Sequence, residues 1–399
     1  MKFGFSKRAI ILLGVMSIGL TLLFLYFISN DYTLNDMTYN AQSDYVSQKD
    51  TPTCIADTSN SLKPSKKVWN QCLDPGKQPS YYLSIVIVTR MDDYAGNQHL
   101  RFQNFIDSAY LLAEKTQEKI ELLIVEWNPP QDRRRVVDSF RFRRSRYLTY
   151  RIITVPPKIH QALPNRGGSP LHEFEGKNVG IRFARGEFVV CTNQDDIWSD
   201  NFHNAIKSKV FKKNVIYLQY QAPHNIHEDF PPSIVDLPAF ATDDDLIKSC
   251  SLRSQDWGNY KLPDPIKVNT IHESPNFILK VADQAGDFTM AHRDTWKVPN
   301  GYREAGGVAW MDIEFICTAT WTYNIPVVYS DQSFACHQQH PNVWEDNKEQ
   351  HNDNSNINMG EIERKEKKYT NEDGKWGLEH IDIWEMGLEC LEFSGGLCW

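Results

Sequence analysis

The chain has 399 residues, of which 41% are hydrophobic and 12% aromatic, and a formal net charge of −8. That composition supplies a substantial core for one large or two ordinary domains and excludes a wholly disordered chain. The acidic balance offers no electrostatic footprint for nucleic acid.

From the N-terminus, Ala9 to Ser29 is a run of 21 residues without a charge. As a helix it would reach about 31 Å, against a bilayer core of about 30 Å. Lys2, Lys7 and Arg8 precede it and Asp31 follows, a bias that puts residues 1–8 in the cytosol and the rest across the membrane. No small-x-small cleavage site follows, so an uncleaved type II anchor over 9–29 is expected rather than a signal peptide. The eight cysteines then fall in an oxidising lumen. Cys54 with Cys72, and Cys390 with Cys398, could close loops at the two ends, although spacing leaves the connectivity open. Residues 30–79 are polar and proline-punctuated, as in a stem.

Order is expected from Tyr81. Leu83 to Thr89 is a near-continuous β-branched run suited to a strand buried on both faces. Phe102, Phe105, Ile106, Ala109, Leu112 and Ala113 follow at helical spacing. Ile120–Val125 reads as a second strand, Val136, Val137 and Phe140 as a helix, and 150–155 as a third strand. Strand, helix, strand, helix, strand implies right-handed crossovers and a parallel sheet with a ligand crevice at the strands' carboxyl ends. No GxGxxG follows the first strand, which argues against a dinucleotide fold. The arginine-rich run from Arg133 to Arg146 reads as a solvated helix face.

The stretch 173–198, EFEGKNVGIRFARGEFVVCTNQDDIW, reads as an amphipathic helix ended by Gly186, then a short buried strand Phe188–Cys191, then Asn193-Gln194-Asp195-Asp196. Carboxylates at a strand's carboxyl end suggest a divalent cation; as bare residues Asp195 and Asp196 could equally cap the next helix. Residues 221–275 show no clean period and read as an insertion, in which Asp243-Asp244-Asp245 needs only a helix-capping role. Beyond it, Gly286 permits close backbone approach and Asn300-Gly301 is a turn. Ile325–Ser330 is a further strand, followed by Cys336-His337-Gln338-Gln339-His340. Imidazole there is a suitable ligand for an ion such as Mn²⁺. Residues 346–399 read as a polar loop and tail whose aromatic end, 376–399, can dock back.

The run Lys177-Asn178-x-Gly180, Ala184-Arg185-Gly186-Glu187-Phe188 and Asn193-x-Asp195-Asp196 resembles the helix–strand–DxD segment of family-two GT-A glycosyltransferases. Ala285 to Arg293 with Asn300-Gly301-Tyr302-Arg303-Glu304, and Trp310-Met311-Asp312-Ile313-Glu314-Phe315, are similar to segments of galactosyltransferase-like members. The resemblance spans about residues 81–341. It implies a GT-A fold, Rossmann-like, with a mostly parallel central sheet and helices on both faces. Residues 80–345 would then be catalytic: a nucleotide half over 80–220, the insertion at 221–275 and an acceptor half over 276–345.

It further implies that Asp195, with Asn193 in place of the usual first Asp, and His337 hold Mn²⁺ or Mg²⁺. Thr89, Arg90, Glu126, Lys177, Asn178, Gly286 and Asp287, together with Asn193 and Asp195, would line a nucleotide-sugar, which the resemblance implies is UDP-linked. Asp312 would be the catalytic base, and Trp310 and Glu314 would meet a glycan or glycoconjugate acceptor. Met311 replaces the usual Glu. The resulting expectation is an inverting glycosyltransferase on the Golgi or endoplasmic-reticulum membrane, with a luminal catalytic domain. Its competitors are a silent glycan-binding protein of the same fold, which Asn193 and Met311 favour, and a nucleotidyltransferase.

Overall fold

The computed structural model describes residues 65–164, 168–219, 234–251, 262, 264–265, 285–304, 306, 310–330, 334–341, 358–368, 371 and 373–395. The expected anchor at 9–29, the stem up to residue 64, Cys54 and Cys398 lie outside them. Among the described residues no helix is long and apolar enough to cross a membrane.

The strands are β1 (Tyr81–Thr89), β2 (Ile120–Trp127), β3 (Leu148–Val155), β4 (Gly186–Thr192), β5 (Asp196–Trp198), β6 (Ile216–Gln219), β7 (Ile234–Val235), β8 (Phe288–His292), β9 (Val327–Ser330), β10 (Ala335–Gln338) and β11 (Glu389–Phe393). An eight-stranded sheet has the order β11-β3-β2-β1-β4-β8-β6-β9, and β5, β10 and β7 form a small second sheet. β1 is parallel to β2 on one side and to β4 on the other. The chain winds outward through β2 and β3 and then returns past β1, so the switch of direction opens a crevice at the carboxyl ends of β1 and β4.

The parallel half follows the expected crossovers, but the sheet as a whole is mixed. β8 runs antiparallel to β4 and β6, and β11 antiparallel to β3. β8 enters from the ligand edge, with Phe288 opposite Thr192, and this sets Gly286 and Asp287 beside the end of β4.

The helices used below are α1 (Lys66–Leu73), α2 (Gln98–Thr116), α3 (Glu173–Phe183), α4 (Asp200–Ser208), α5 (Asp243–Ser251) and α6 (Met311–Cys317). The alternation of β1 divides the core. Leu83, Ile85 and Ile87 pack with Phe102, Phe105 and Ile106 of α2, while Val86 and Val88 pack with Val179 and Ile181 of α3. Helices therefore cover both faces, each buried aliphatic side chain contributing about 1.5–3 kcal/mol. Glycines set how close α3 lies: a Cβ on Gly180 would fall 2.2 Å from Val86 Cγ1, and one on Gly176 2.6 Å from Val88 Cγ1.

Several local expectations change. α3 ends at Phe183 with Ala184 as its cap, so Gly186 does not terminate it. Gly186 opens β4, where a Cβ would lie 2.4 Å from the Ser84 amide nitrogen. The helix expected around 136–140 is only Val136–Ser139, and three arginines of the run have ion partners instead of lining a solvated helix face. Arg135 pairs with Glu126 at 2.6 Å, Arg141 with Asp107 at 3.1 Å and Arg143 with Asp243 at 2.7 Å. Part of the polar 30–79 segment is ordered as α1, capped by Ser65, with Trp69, Cys72 and Leu73 buried.

The C-terminal stretch does dock, and more firmly than as a tail. β11 completes the sheet, Trp69 Nε1 donates to the Leu388 carbonyl at 2.7 Å, and Cys72 is bonded to Cys390. Neither proposed end loop therefore forms through Cys72 or Cys390. A second disulfide, Cys250–Cys336, ties the insertion's α5 to β10.

Candidate metal and donor site

β4 ends at Thr192 inside the crevice, and the next four residues turn into β5. That turn is not a helix cap: α4 begins after Ser199, whose hydroxyl accepts from the Phe202 amide. Asp196 instead starts β5 and lies opposite His337 of β10 in antiparallel register. Gln338 fastens this arrangement, its side-chain amide donating to the Arg101 carbonyl at 2.8 Å and to the Asp195 carbonyl at 3.1 Å.

Register and turn together make a cluster. His337 Nδ1 lies 3.3 Å from Asp196 Oδ1 and 3.6 Å from Asp195 Oδ1. His340 Nε2 lies 3.4 Å from Asp195 Oδ2 and 2.9 Å from His337 Nε2. Ligand atoms of Asp195, His337 and His340 can all be chosen within 4.8 Å of one another. One carboxylate and two imidazoles converging this way fit a transition-type divalent ion better than an all-oxygen one. Asp196 completes the pattern as the carboxylate that holds the far nitrogen of a ligating histidine.

The electrostatics favour positive charge here. Burial acts to lower the His337 pKa, but Asp195 and Asp196, with Asp287 reinforcing them, outweigh it and push the ring up to about 10. Burial pushes Asp287 up to about 7, with His337 opposing and Asp196 adding to the rise. Asn193 Nδ2 donates to Asp287 Oδ1, and the Thr192 hydroxyl contacts both Asp196 Oδ2 and the Asp287 carbonyl.

The expected residues divide into those the fold brings to this place and those it does not. Asp195, His337, Asn193 and Asp287 converge. Thr89 joins them through its hydroxyl, which donates to Gln194 Oε1 at 2.5 Å. Lys177 reaches across from α3 to the Gly286 carbonyl at 2.8 Å and to Glu173 at 2.5 Å. Gly286 lies close against Asp312, a Cβ there standing 3.0 Å from Asp312 Oδ2. Asp312, in the first turn of α6, is largely buried, and burial pushes its carboxyl up to about 6.

Arg90 sits at the rim, bonded to the Asn128 carbonyl and to Asp92. Trp310 is 51% exposed with φ 67° at the start of α6. Three residues are committed to the protein's own framework. Glu126 accepts from Arg135, Val136 and Thr154. Asn178 is bonded through both ends of its amide to Tyr302 and also to Glu304. Glu314 is fully buried and accepts from the Thr318 hydroxyl at 2.8 Å.

Three participants were not assigned to the site from the sequence, although Asp196 and His340 stand in the stretches that carry it. Arg101 pairs with Asp195 at 3.2 Å, His340 stands beside His337 rather than outside the site, and Asp196 orients a histidine. The available signal for Arg101 was a cation placed next to Phe102 on the apolar side of an otherwise well-patterned helix.

No protein-family model matches the sequence, and a search of curated proteins returns no match. Among solved structures, the fold is similar to the catalytic domain of Drosophila beta1,4galactosyltransferase 7 complexed with xylobiose, at 12% identity and TM-score 0.35 over 73% of this chain and 82% of that one. It is similar to Staphylococcus aureus (S. aureus) TarS 1-349 complexed with UDP-GlcNAc, at 11% identity and TM-score 0.34 over 65% of this chain and 59% of that one. It is also similar to Mycobacterium tuberculosis glucosyl-3-phosphoglycerate synthase complexed with Mg²⁺ and UDP, at 11% identity and TM-score 0.35 over 66% and 73%. At these scores the likenesses assign neither activity nor ligand to this chain.

Proposed function

We propose that the chain is a metal-dependent glycosyltransferase of GT-A type, which moves a sugar from a UDP-linked donor to a glycan or glycoconjugate hydroxyl with inversion. The observation that carries this reading is the convergence of Asp195, His337 and His340 at the carboxyl end of β4, across Gly286 and Asp287 from the buried Asp312 carboxyl. A bound Mn²⁺ or Mg²⁺ would supply charge neutralisation for a departing diphosphate.

The chain's own residues account for the rest. Asp196 fixes the His337 ring through Nδ1, so that Nε2 is turned toward His340. Lys177 holds the Gly286 carbonyl, and with it the backbone that separates Asp287 from Asp312. Asp312, with a carboxyl pushed up to about 6, is ionised at neutral pH and basic enough to take the proton of an attacking hydroxyl. Trp310, exposed beside it, offers an apolar face to an acceptor sugar.

The uncharged run at 9–29 and its basic flank support a type II anchor with this domain in the Golgi or endoplasmic-reticulum lumen. The two disulfides suit an oxidising compartment. In sealed microsomes an N-terminal tag should be digested while the bulk of the chain is protected; a protected tag rejects that topology.

The deciding experiment is a screen of UDP-sugars with Mn²⁺, monitored for UDP release. Release of pyrophosphate would favour a nucleotidyltransferase. Arg101 on Asp195 is an observation that favours a silent, glycan-binding protein, and glycan binding without release of either product would establish that alternative.

A further inference from the structure

Arg101 projects from the first turn of α2 and is 6% exposed. Its Nε meets Asp195 Oδ2 at 3.2 Å, its Nη2 donates to the Tyr94 carbonyl at 2.7 Å, and its Nη1 donates to the Gly96 carbonyl. One guanidinium thus holds a metal-ligand carboxylate and the loop after β1 together. The loop needs holding: Asp93, Ala95, Gly96 and Asn97 all have φ between 52° and 69°, a left-handed run that persists only under external restraint. Gln98 adds a second tie, accepting from the Asp93 amide at 2.7 Å and donating to Gln194 Oε1 at 3.0 Å. The restrained loop sets the ring of Tyr94, 43% exposed, edge-on to His340 with centroids 5.9 Å apart.

We infer that Arg101 is a positioning residue that couples cation binding to the 91–97 loop, and that Tyr94 is the aromatic face that this loop presents to the nucleotide-sugar. The inference rests on the glycosyltransferase reading for the identity of the donor, but not for the coupling. When a cation draws on Asp195, the carboxylate stays aligned because Arg101 meets it with a planar fork whose two Nη groups each donate to a loop carbonyl. A donor reaching the cation then meets a Tyr94 ring already in place, without first ordering the loop. A lysine keeps the charge but cannot make the three contacts.

The test measures Mn²⁺ affinity alone, by electron paramagnetic resonance of free Mn²⁺, and then UDP affinity at saturating Mn²⁺. It is done for the wild type, Arg101→Lys, Arg101→Gln and Tyr94→Ala, with amide exchange over 91–97 followed with and without Mn²⁺. Both Arg101 variants should weaken Mn²⁺ by about 10–100-fold, the range expected on losing a partner that orients a ligand. Mn²⁺ should slow exchange in the wild-type loop but not in theirs. Tyr94→Ala should leave Mn²⁺ affinity within about twofold and weaken UDP binding at saturating Mn²⁺ by about 5–10-fold, a stacking contact of about 1 kcal/mol.

Tighter Mn²⁺ binding by Arg101→Gln would show that Arg101 merely competes with the cation, and unchanged affinity would show no role; either overturns the inference. If Arg101→Gln does not fold, Arg101→Lys decides. Coupling to Mn²⁺ without any UDP binding in the wild type would reject the donor and leave the coupling standing. A wild type that binds no Mn²⁺ rejects both.

Discussion

His337 and Asp196 face each other twice, once as backbone partners across the β10–β5 ladder and again through Nδ1 and Oδ1 at 3.3 Å. The ladder fixes where the ring can be, and the carboxylate fixes which nitrogen it offers. His337→Ala should therefore lose most Mn²⁺ affinity, with part of the rate recovered by excess Mn²⁺. Asp196→Asn should cost about 10–100-fold in that affinity, because the ring remains but is no longer oriented. Metal titration of the two variants checks the order of effects.

Asp312 gives a separate signature in rate. Asp312→Asn should lower kcat by about 100-fold or more while leaving UDP and Mn²⁺ affinity nearly unchanged, since a base is required only as the proton moves. Its carboxyl, pushed up to about 6 by burial, must be ionised to act, so the wild-type rate should rise with pH through about 6 and then level. A variant with normal kcat, or one rescued by added Mn²⁺, would remove Asp312 from this role.

Asp195→Ala should abolish metal-dependent nucleotide binding, and Asp243→Ala should not. Asp243 starts α5 beside the Thr242–Asp245 capping pair and pairs with Arg143 at 2.7 Å. That half-exposed pair is worth no more than about 1 kcal/mol. Parallel binding and melting curves for the two variants compare acidic positions that sequence composition cannot rank.

Gly180 tests the packing of α3. Gly180→Ala places a methyl 2.2 Å from Val86 Cγ1, an overpacking expected to cost about 1–3 kcal/mol. Val86→Ala in the same chain should return part of that loss, as denaturant unfolding of the double variant would show.

Glu175 should make stability depend on pH. It is buried beside Glu304 and accepts from the Gly306 amide at 2.6 Å; burial first and Glu304 second raise its pKa from 4.5 to about 8. A carboxyl raised in the folded state contributes stability below about 4.5 that is lost as pH climbs through about 8. Glu175→Gln should melt close to wild type at pH 5 and at least several degrees higher at pH 9; equal melting at both pH values would refute the assignment.

The half of the fold from β1 to β4 was legible in the chain because its signals are local. Leu83–Thr89 has no polar alternation and forms a strand buried on both faces, and the period through Phe102–Ala113 is the face of α2. The site was legible only where chemistry and strand end coincide, as at Asp195. His340 and Arg101 enter through long-range register and through a helix turn, which spacing along the chain does not encode. Asn178 and Glu126 have the residue types of ligand contacts, yet their atoms are already satisfied by Tyr302, Glu304, Arg135 and Val136. Gly186 looked like a helix stop because its neighbours in sequence were visible and Ser84 was not.

The Cys72–Cys390 bond, spanning 318 residues, turns the domain into a covalent ring. A protease that cuts once in any surface loop between those residues yields a nicked molecule whose pieces stay joined until a reductant is added.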